Sequence, residues 1–304
     1  MISALGTYDL LLERQRPVDK ELLPASFGSG RKIPRKSTDA RTAPLGSRRG
    51  EVRDSELRLT PDLYLIGGGS FGFDMSSPYD CHVYAVRSCH ELALIDVGTG
   101  LDIDSIISNM RQDELDPSAV SQIFITHYHT DHAGGLAAWR DLFGARVHAS
   151  VGSTPAIASG DAKAIGLEAA QRGGFYPADY VFRACPVDVE LAGGEVLMIG
   201  DFTITAHNSP GHCYGHTVFH LTGSDRSYLF SGDCLFHGGT IILQNIPDCS
   251  IPDYAATMEQ LSTLQFDALL PGHLSITLRN GKRHVDVAAN AFRSLGLPRQ
   301  AIQL

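Results

Sequence analysis

The segment Thr126-His127-Tyr128-His129-Thr130-Asp131-His132-Ala133-Gly134-Gly135 lies where an apolar, β-branched run (Ile123-Phe124-Ile125) gives way to a helical pattern, and it places three imidazoles and a carboxylate within six positions. Imidazole nitrogen and carboxylate oxygen are the side-chain groups that bind zinc and similar divalent ions. An extended strand end has a side-chain period of two, which sends His127 and His129 to the same side, while Asp131 and His132 turn the other way as the helix begins. That geometry serves two metal ions a few ångströms apart.

Closing two such sites takes three more residues, and the chain offers them at similar turns: His212 in Ser209-Pro210-Gly211-His212, Asp233 in Ser231-Gly232-Asp233 and His273 in Pro271-Gly272-His273. Each follows an apolar strand pattern. Pro and Gly end a strand sharply and let the imidazole face inward from the rim.

The surrounding pattern is α/β. Short β-branched and aromatic runs at 63–68, 82–86, 92–98, 123–127 and 145–150 read as strands, and 103–115 and 134–143 between them carry helical periodicity. An Ala- and Gly-rich stretch, 152–180, interrupts the run and reads as an insertion or lid. Strand patterns return over 189–233, and helices are expected at 253–264 and 285–295. Strands followed by helices in each half suit a duplicated αββα arrangement. The first 56 residues mix Pro, Gly, Ser and Arg with little periodicity and read as a basic, extended N-terminal arm, which leaves 57–304 for one catalytic domain.

Charge narrows the partners. The net charge is −9, and residues 1–50 hold 10 basic and 5 acidic residues, so the remainder is strongly acidic. Phosphate binding is driven by clustered Lys and Arg, so neither nucleic acid nor an anionic membrane is expected as a partner. No run approaches the roughly 18 to 20 apolar residues of a membrane span, and the six cysteines form no CxxC pair, as befits reduced thiols in a cytoplasmic protein.

With its His-x-His-x-Asp-His run followed in order by His212, Asp233 and His273, the chain resembles the metallo-β-lactamase fold superfamily from about Leu57 to Ser275. The resemblance implies a four-layer αββα sandwich. Carried over position by position, it implies His127, His129 and His212 as ligands of a first metal, Asp131, His132 and His273 as ligands of a second, and Asp233 as the carboxylate that bridges them. Asp96, in Leu94-Ile95-Asp96-Val97-Gly98, matches the family's early aspartate, which orients ligands, and His216 matches a frequent companion near the site. Two divalent ions, zinc first with manganese or iron as alternatives, lower the pKa of a shared water from 15.7 toward about 7, so that hydroxide is available to attack at neutral pH. Asp131 is then placed to return a proton to the leaving group, and no Ser or Cys nucleophile is required.

Departures within the superfamily narrow the branch. Asp233 stands where its B-type lactamases carry Cys or no ligand, and Phe236 stands where its acyl-homoserine lactonases carry Tyr. The stretch from Ser231 to Phe236 with Gly238 and Gly239 is similar to the glyoxalase II branch, yet only 31 residues follow His273, too few for that branch's helical glutathione-binding domain. The expected activity is hydrolysis of an ester-type bond, thioester or lactone, in a small acyl compound. The alternative is a persulfide dioxygenase with one iron, and β-lactamase or phosphodiesterase activity ranks below it. Substrate contacts are expected from Phe71 and Phe73 in the glycine-rich loop 67–73, from Phe175 and Tyr176 in the insertion, and from His237. His82, His90, His148 and His207 read as ordinary core or surface residues, and a homodimer is left open.

Overall fold

The computed structural model describes residues 57–89 and 91–302; the expected arm at 1–56 and His90 lie outside the described residues. The strand patterns resolve into two sheets. In the first, β1 (Arg58–Thr60), β2 (Leu63–Gly67), β3 (Val83–Ser88) and β4 (Glu91–Ile95) form an antiparallel meander, which β5 (Val120–Phe124), β6 (Arg146–Ser150) and β7 (Val189–Leu191) continue in parallel. Parallel neighbours need crossover connections. The chain supplies α1 (Ile103–Gln112) between β4 and β5, α2 (Thr130–Ala133) with α3 (Leu136–Phe143) between β5 and β6, and α4 (Thr154–Ser159) with α5 (Leu167–Arg172) between β6 and β7. The stretch read as an insertion is therefore the β6–β7 crossover, and Ile157, Ile165, Leu167 and Tyr180 anchor it in the core.

In the second sheet β8 (Val196–Ile199), β9 (Phe202–Asn208), β10 (Thr217–Thr222) and β11 (Ser227–Gly232) run antiparallel, and β12 (Ala268–Pro271) joins β11 in parallel after α6 (Ile251–Leu261). α7 (Lys282–Arg293) completes this half. Local signals start the helices: the Asp102 carboxylate accepts the Ser105 N–H ahead of α1, and the Ser250 hydroxyl accepts the Asp253 N–H ahead of α6, whose first turn contains Pro252.

Three apolar layers hold the halves together. Leu63, Tyr84, Ile95 and Phe124 of the first sheet meet Ile204, Phe219, Phe230 and Leu270 of the second. Ile106, Met110, Leu136 and Trp139 cover the outer face of the first sheet, and Tyr254, Met258, Leu261 and Val285 that of the second. The order is helix, sheet, sheet, helix: the four-layer αββα sandwich. Among the described residues no helix is long and apolar enough to cross a membrane. All six cysteines are free, with Cys81, Cys185, Cys213 and Cys234 buried, Cys249 half-buried and Cys89 exposed.

Backbone bonds lace the strand ends into one rim. Asp96 N–H donates to the Phe124 carbonyl, Thr217 N–H to that of Thr126, and Gly272 N–H to that of Gly232. The loops after β4, β5, β11 and β12 thereby come together, as loops carrying chemistry do on a rigid scaffold.

A buried histidine away from this rim makes the fold pH-sensitive. His148 on β6 lies flat against Phe124 with ring centroids 4.4 Å apart, and neither of its ring nitrogens has a partner. Burial, reinforced by Arg146 and opposed by Asp188, pushes its pKa down to about 4. The unfolded chain takes up a proton near pH 6.5 that the folded chain refuses, so the stabilisation is complete above that value and is lost as the pH falls toward about 4. Between about pH 7 and pH 5 this residue should cost the wild type on the order of 2 kcal/mol relative to His148→Phe in urea unfolding. An equal stability gap at both pH values would refute the assignment.

Candidate metal centre

Asp96 organises the rim from below. It follows β4 in the left-handed region, at φ 57°, where a short polar side chain is tolerated at some cost in strain. Its Oδ1 accepts the Thr126 N–H at 2.8 Å, and its Oδ2 accepts both the Thr126 hydroxyl and His132 Nδ1–H, each at 2.8 Å. With its proton committed to Asp96, Thr126 Oγ1 accepts His127 Nδ1–H at 3.0 Å. Both imidazoles are thus held as Nδ1–H donors with Nε2 turned toward the centre, which is how outer partners orient a ring for ligation.

The freed nitrogens converge. His127 Nε2 lies 3.0 Å from His129 Nδ1, which lies 3.1 Å from His212 Nε2, so three ring nitrogens face one point. A second group forms beside it, where Asp131 Oδ2 is 3.1 Å from His273 Nε2 and 3.6 Å from His132 Nε2. Asp233 stands between the groups. Its Oδ1 is 3.5 Å from His132 Nε2 and 3.6 Å from His273 Nε2, and its Oδ2 is 3.8 Å from His212 Nε2. His216 backs this arrangement by accepting the Asp233 N–H at Nε2 and lying nearly parallel to the His127 ring.

The donor set fits divalent cations. Buried polar atoms normally have partners, yet His132 Nε2 and Asp233 Oδ1 are buried with none, and both face the same space. Gly272 preserves that space, because a Cβ there would sit 2.6 Å from both Asp233 Oδ1 and His132 Cε1. Burial holds His127, His129 and His212 below the ordinary imidazole value, with neighbouring imidazoles adding to the effect at His127 and His212; His212 lies at about 4. Burial alone would raise the carboxyls of Asp131 and Asp233, but His132 and His273 pull both well below the usual range. Burial would lower His132 and His273 as well, but the acidic groups beside them, Asp131 and Asp233 among them, raise both; because neutral imidazoles and ionised carboxylates are the forms that bind cations, a cation in the second group would take the place of their protons.

The residues expected to contact substrate divide. Phe71 meets the His273 ring edge-on at 6.4 Å, and Phe73 stacks on His82 at 5.3 Å; both are more than half exposed. Tyr176 enters the centre itself, donating from Oη to Asp131 Oδ1 at 3.0 Å, while Phe175 beside it is exposed. His237 goes elsewhere. It pairs through Nδ1 with Thr277 Oγ1 at 3.0 Å and lies tilted by 46° against the His284 ring, with centroids 4.5 Å apart. His82 is buried under the 67–73 loop, hydrogen-bonded through Nδ1 to the Tyr84 hydroxyl or the Pro271 carbonyl.

Two participants carried no role in the sequence reading. Thr126 links Asp96 to His127, a role signalled only by a hydroxyl one position before a strand-end ligand. Tyr128, whose neighbours in sequence His127 and His129 face the first group of nitrogens, donates its hydroxyl to Asp248 and so ties the 243–250 loop to the motif; nothing local to either residue announces that pairing.

Comparison with known proteins agrees with this geometry. The profile of the Metallo-beta-lactamase superfamily matches residues 77–273. The acyl-coenzyme A thioesterase MBLAC2 of Homo sapiens is 28% identical over 234 residues, covering 71% of this chain and 80% of that protein. A hydroxyacylglutathione hydrolase of Cereibacter sphaeroides is 34% identical over 120 residues, but these are 40% of this chain and only 36% of that protein. Among solved structures, BJP-1, a subclass B3 metallo-beta-lactamase of Bradyrhizobium japonicum, superposes with a TM-score of 0.59 at 23% identity, covering 78% of this chain and 90% of the other. With the profile spanning most of the described chain and the fold and the grouped His and Asp side chains in place, the chain belongs to the metallo-beta-lactamase superfamily and is a hydrolase of it.

Proposed function

We propose that the chain is a dinuclear metal-dependent hydrolase that cleaves the thioester bond of a small acyl compound. The observation that carries the reading is the position of Asp233, whose two oxygens face different groups of coordinating nitrogens. Zinc suits the set, since imidazole and carboxylate are among its usual ligands. His127, His129 and His212 would hold one ion, Asp131, His132 and His273 the other, with Asp233 shared. When bound, the ions supply Lewis acidity, making water a nucleophile near neutral pH and polarising a carbonyl oxygen.

The chain's own residues favour a thiol leaving group. Phe236, fully buried, offers no proton where the lactonases have a phenol. A lactone expels an alkoxide, which needs a proton, whereas a thiol has a pKa near 8.5 and departs as thiolate with little help. Asp131 keeps 16% of its side chain exposed and is the ligand carboxylate able to pass a proton outward. Burial pushes the Cys213 and Cys234 thiols up, so neither is a thiolate nucleophile. Exposed Phe71 and Phe73 give an acyl group an apolar rest beside His273. Two relatives whose names describe acyl-coenzyme A and hydroxyacylglutathione as substrates support the same bond type.

Elemental mass spectrometry of freshly purified protein should find about two zinc ions per chain, and acyl-coenzyme A or acyl-glutathione should be turned over faster than oxygen esters of the same acyl group. One iron per chain with oxygen uptake on a persulfide would replace this reading with the dioxygenase. Asp233→Ala should hold less metal and lose more than about 100-fold in kcat, beyond the usual cost of changing an outer-sphere partner; full metal and normal turnover would remove Asp233 from the centre. Cys234→Ser, by contrast, should retain its metal.

A separate test concerns Asp96. Asp96→Asn replaces one of the two accepting oxygens with an NH2 donor, so either the Thr126 N–H or the Thr126 hydroxyl and His132 Nδ1–H lose their acceptor, and metal affinity should fall about 10- to 100-fold while the far-ultraviolet circular dichroism stays the same. Unchanged affinity in chelator competition would show that the hydrogen bonds from Asp96 do not set ligand orientation.

A further inference from the structure

The β6–β7 crossover reaches the metal centre through the Tyr176 hydroxyl. Its two ends are fixed in the core, by Ile165 and Leu167 on one side and by Phe182 and Cys185 on the other. Between them the chain folds on itself around Gln171, whose side-chain amide donates to the carbonyls of Pro177 at 2.9 Å, Ala178 at 3.3 Å and Tyr180 at 2.9 Å. Tyr180 pins the far side by donating its hydroxyl to the Thr99 carbonyl at 2.7 Å. Gly134, two residues past His132, makes room for it, since a Cβ there would lie 2.3 Å from that hydroxyl. The part between these anchors, Gly173 to Phe175, is exposed. Tyr176 follows it, packs against Tyr79 at 5.9 Å, and reaches Asp131.

The two oxygens of Asp131 are thereby divided. Oδ1 accepts the Tyr176 hydroxyl at 3.0 Å, and Oδ2 faces His273 and His132. A carboxylate free to turn about its Cβ–Cγ bond presents either oxygen or both; one anchored at Oδ1 presents Oδ2 alone. Outer partners that fix a ligand in this way typically strengthen metal binding 10- to 100-fold. The anchor is not part of the rigid sheet but of an exposed turn held at its ends, so its effect runs in both directions. If docking of the turn raises affinity for the ion, the ion raises docking of the turn by the same factor.

We propose that Tyr176 is a positioning residue for the metal site formed by Asp131, His132 and His273, and that occupancy of that site and docking of the 173–180 turn favour each other. This rests on the two-metal reading of the centre. The phenol makes no bond to substrate in this role; it acts through Asp131.

The test uses the full-length protein loaded with zinc and titrated with a chromophoric chelator, comparing wild type with Tyr176→Phe, Tyr180→Phe and His273→Ala. Tyr176→Phe removes one hydroxyl from a partly exposed ring. It should weaken one of the two zinc ions about 10- to 100-fold and leave the other unchanged, and the weakened ion should be the one missing from His273→Ala. Tyr180→Phe, which loses the crossover's bond to the Thr99 carbonyl but none to a ligand, should weaken the same zinc ion by less than Tyr176→Phe does and leave the other unchanged. Hydrogen exchange should show the 173–180 amides of the wild type becoming more protected as this zinc binds, and that gain should vanish in Tyr176→Phe. Two zinc ions of unchanged affinity in Tyr176→Phe would overturn the inference while leaving the two-metal reading intact, and equal weakening of both ions would overturn it as well. A wild type that takes up one ion only would overturn the two-metal reading and this inference together.

Discussion

Everything at the rim follows from the need to hold carboxylates and imidazoles together in a place from which water is largely excluded. A buried charge without compensation is among the costliest features a fold can carry. Asp96 is compensated within the protein by the Thr126 N–H, the Thr126 hydroxyl and His132. Asp233 is not, because Oδ1 has no hydrogen-bond partner although imidazole nitrogens stand 3.5 and 3.6 Å away. Such a site carries its instability openly, and a cation is the group whose arrival removes it. The two sheets and their flanking helices supply the rigidity that keeps these side chains from collapsing onto one another in the meantime.

That rigidity is distributed unequally. His127 and His132 are set by the Asp96–Thr126 pair, and Asp233 is held through its own backbone by His216. His129 and Asp131 belong to the more open side: His129 is half-buried, and Asp131 has its second oxygen on a phenol from the crossover. The centre is therefore stiff toward the sheets and adjustable toward solvent, which suits a site that must admit a substrate and release two products.

Much of the site was legible because its signals are local. A period of two at a strand end brought His127 and His129 to one cluster, and the helical turn sent Asp131 and His132 to the other, as the spacing required. The Pro-Gly-His turns placed His212 and His273 facing inward for a similarly local reason. What remained hidden depends on contacts distant in the chain. The pairing of β4 with β5 and of β11 with β12 is set by packing between residues far apart. The Ala- and Gly-rich stretch looked like an interruption because its burial is confined to a few anchors, which periodicity does not weigh. His237 sits four positions after Asp233, a spacing that suggests the pocket, but Gly238 takes a φ of 79° and the ring is captured by Thr277 and His284. In Tyr176 the aromatic character was readable, whereas the destination of its hydroxyl, 45 residues back in the chain, was not.

The aromatic side chains around the mouth are not evenly spread, and their placement bears on how an acyl substrate would lie. Phe71 approaches His273, Tyr79 packs on Tyr176, and Tyr176 reaches Asp131, so the apolar wall stands over Asp131 and His273. Over His129 and His212 the wall is different: Tyr128 and the Tyr214 N–H both converge on the Asp248 carboxylate, leaving the Tyr214 ring 63% exposed. An apolar acyl chain gains by covering the first wall and gains little beside a carboxylate, since each buried methylene contributes about 0.8 kcal/mol only where apolar surface receives it. On the thioester reading the acyl group therefore lies toward Phe71 and the thiol portion toward Asp248. A negatively charged thiol carrier close to that carboxylate would be repelled, so the carrier's charges must sit farther out than its sulfur.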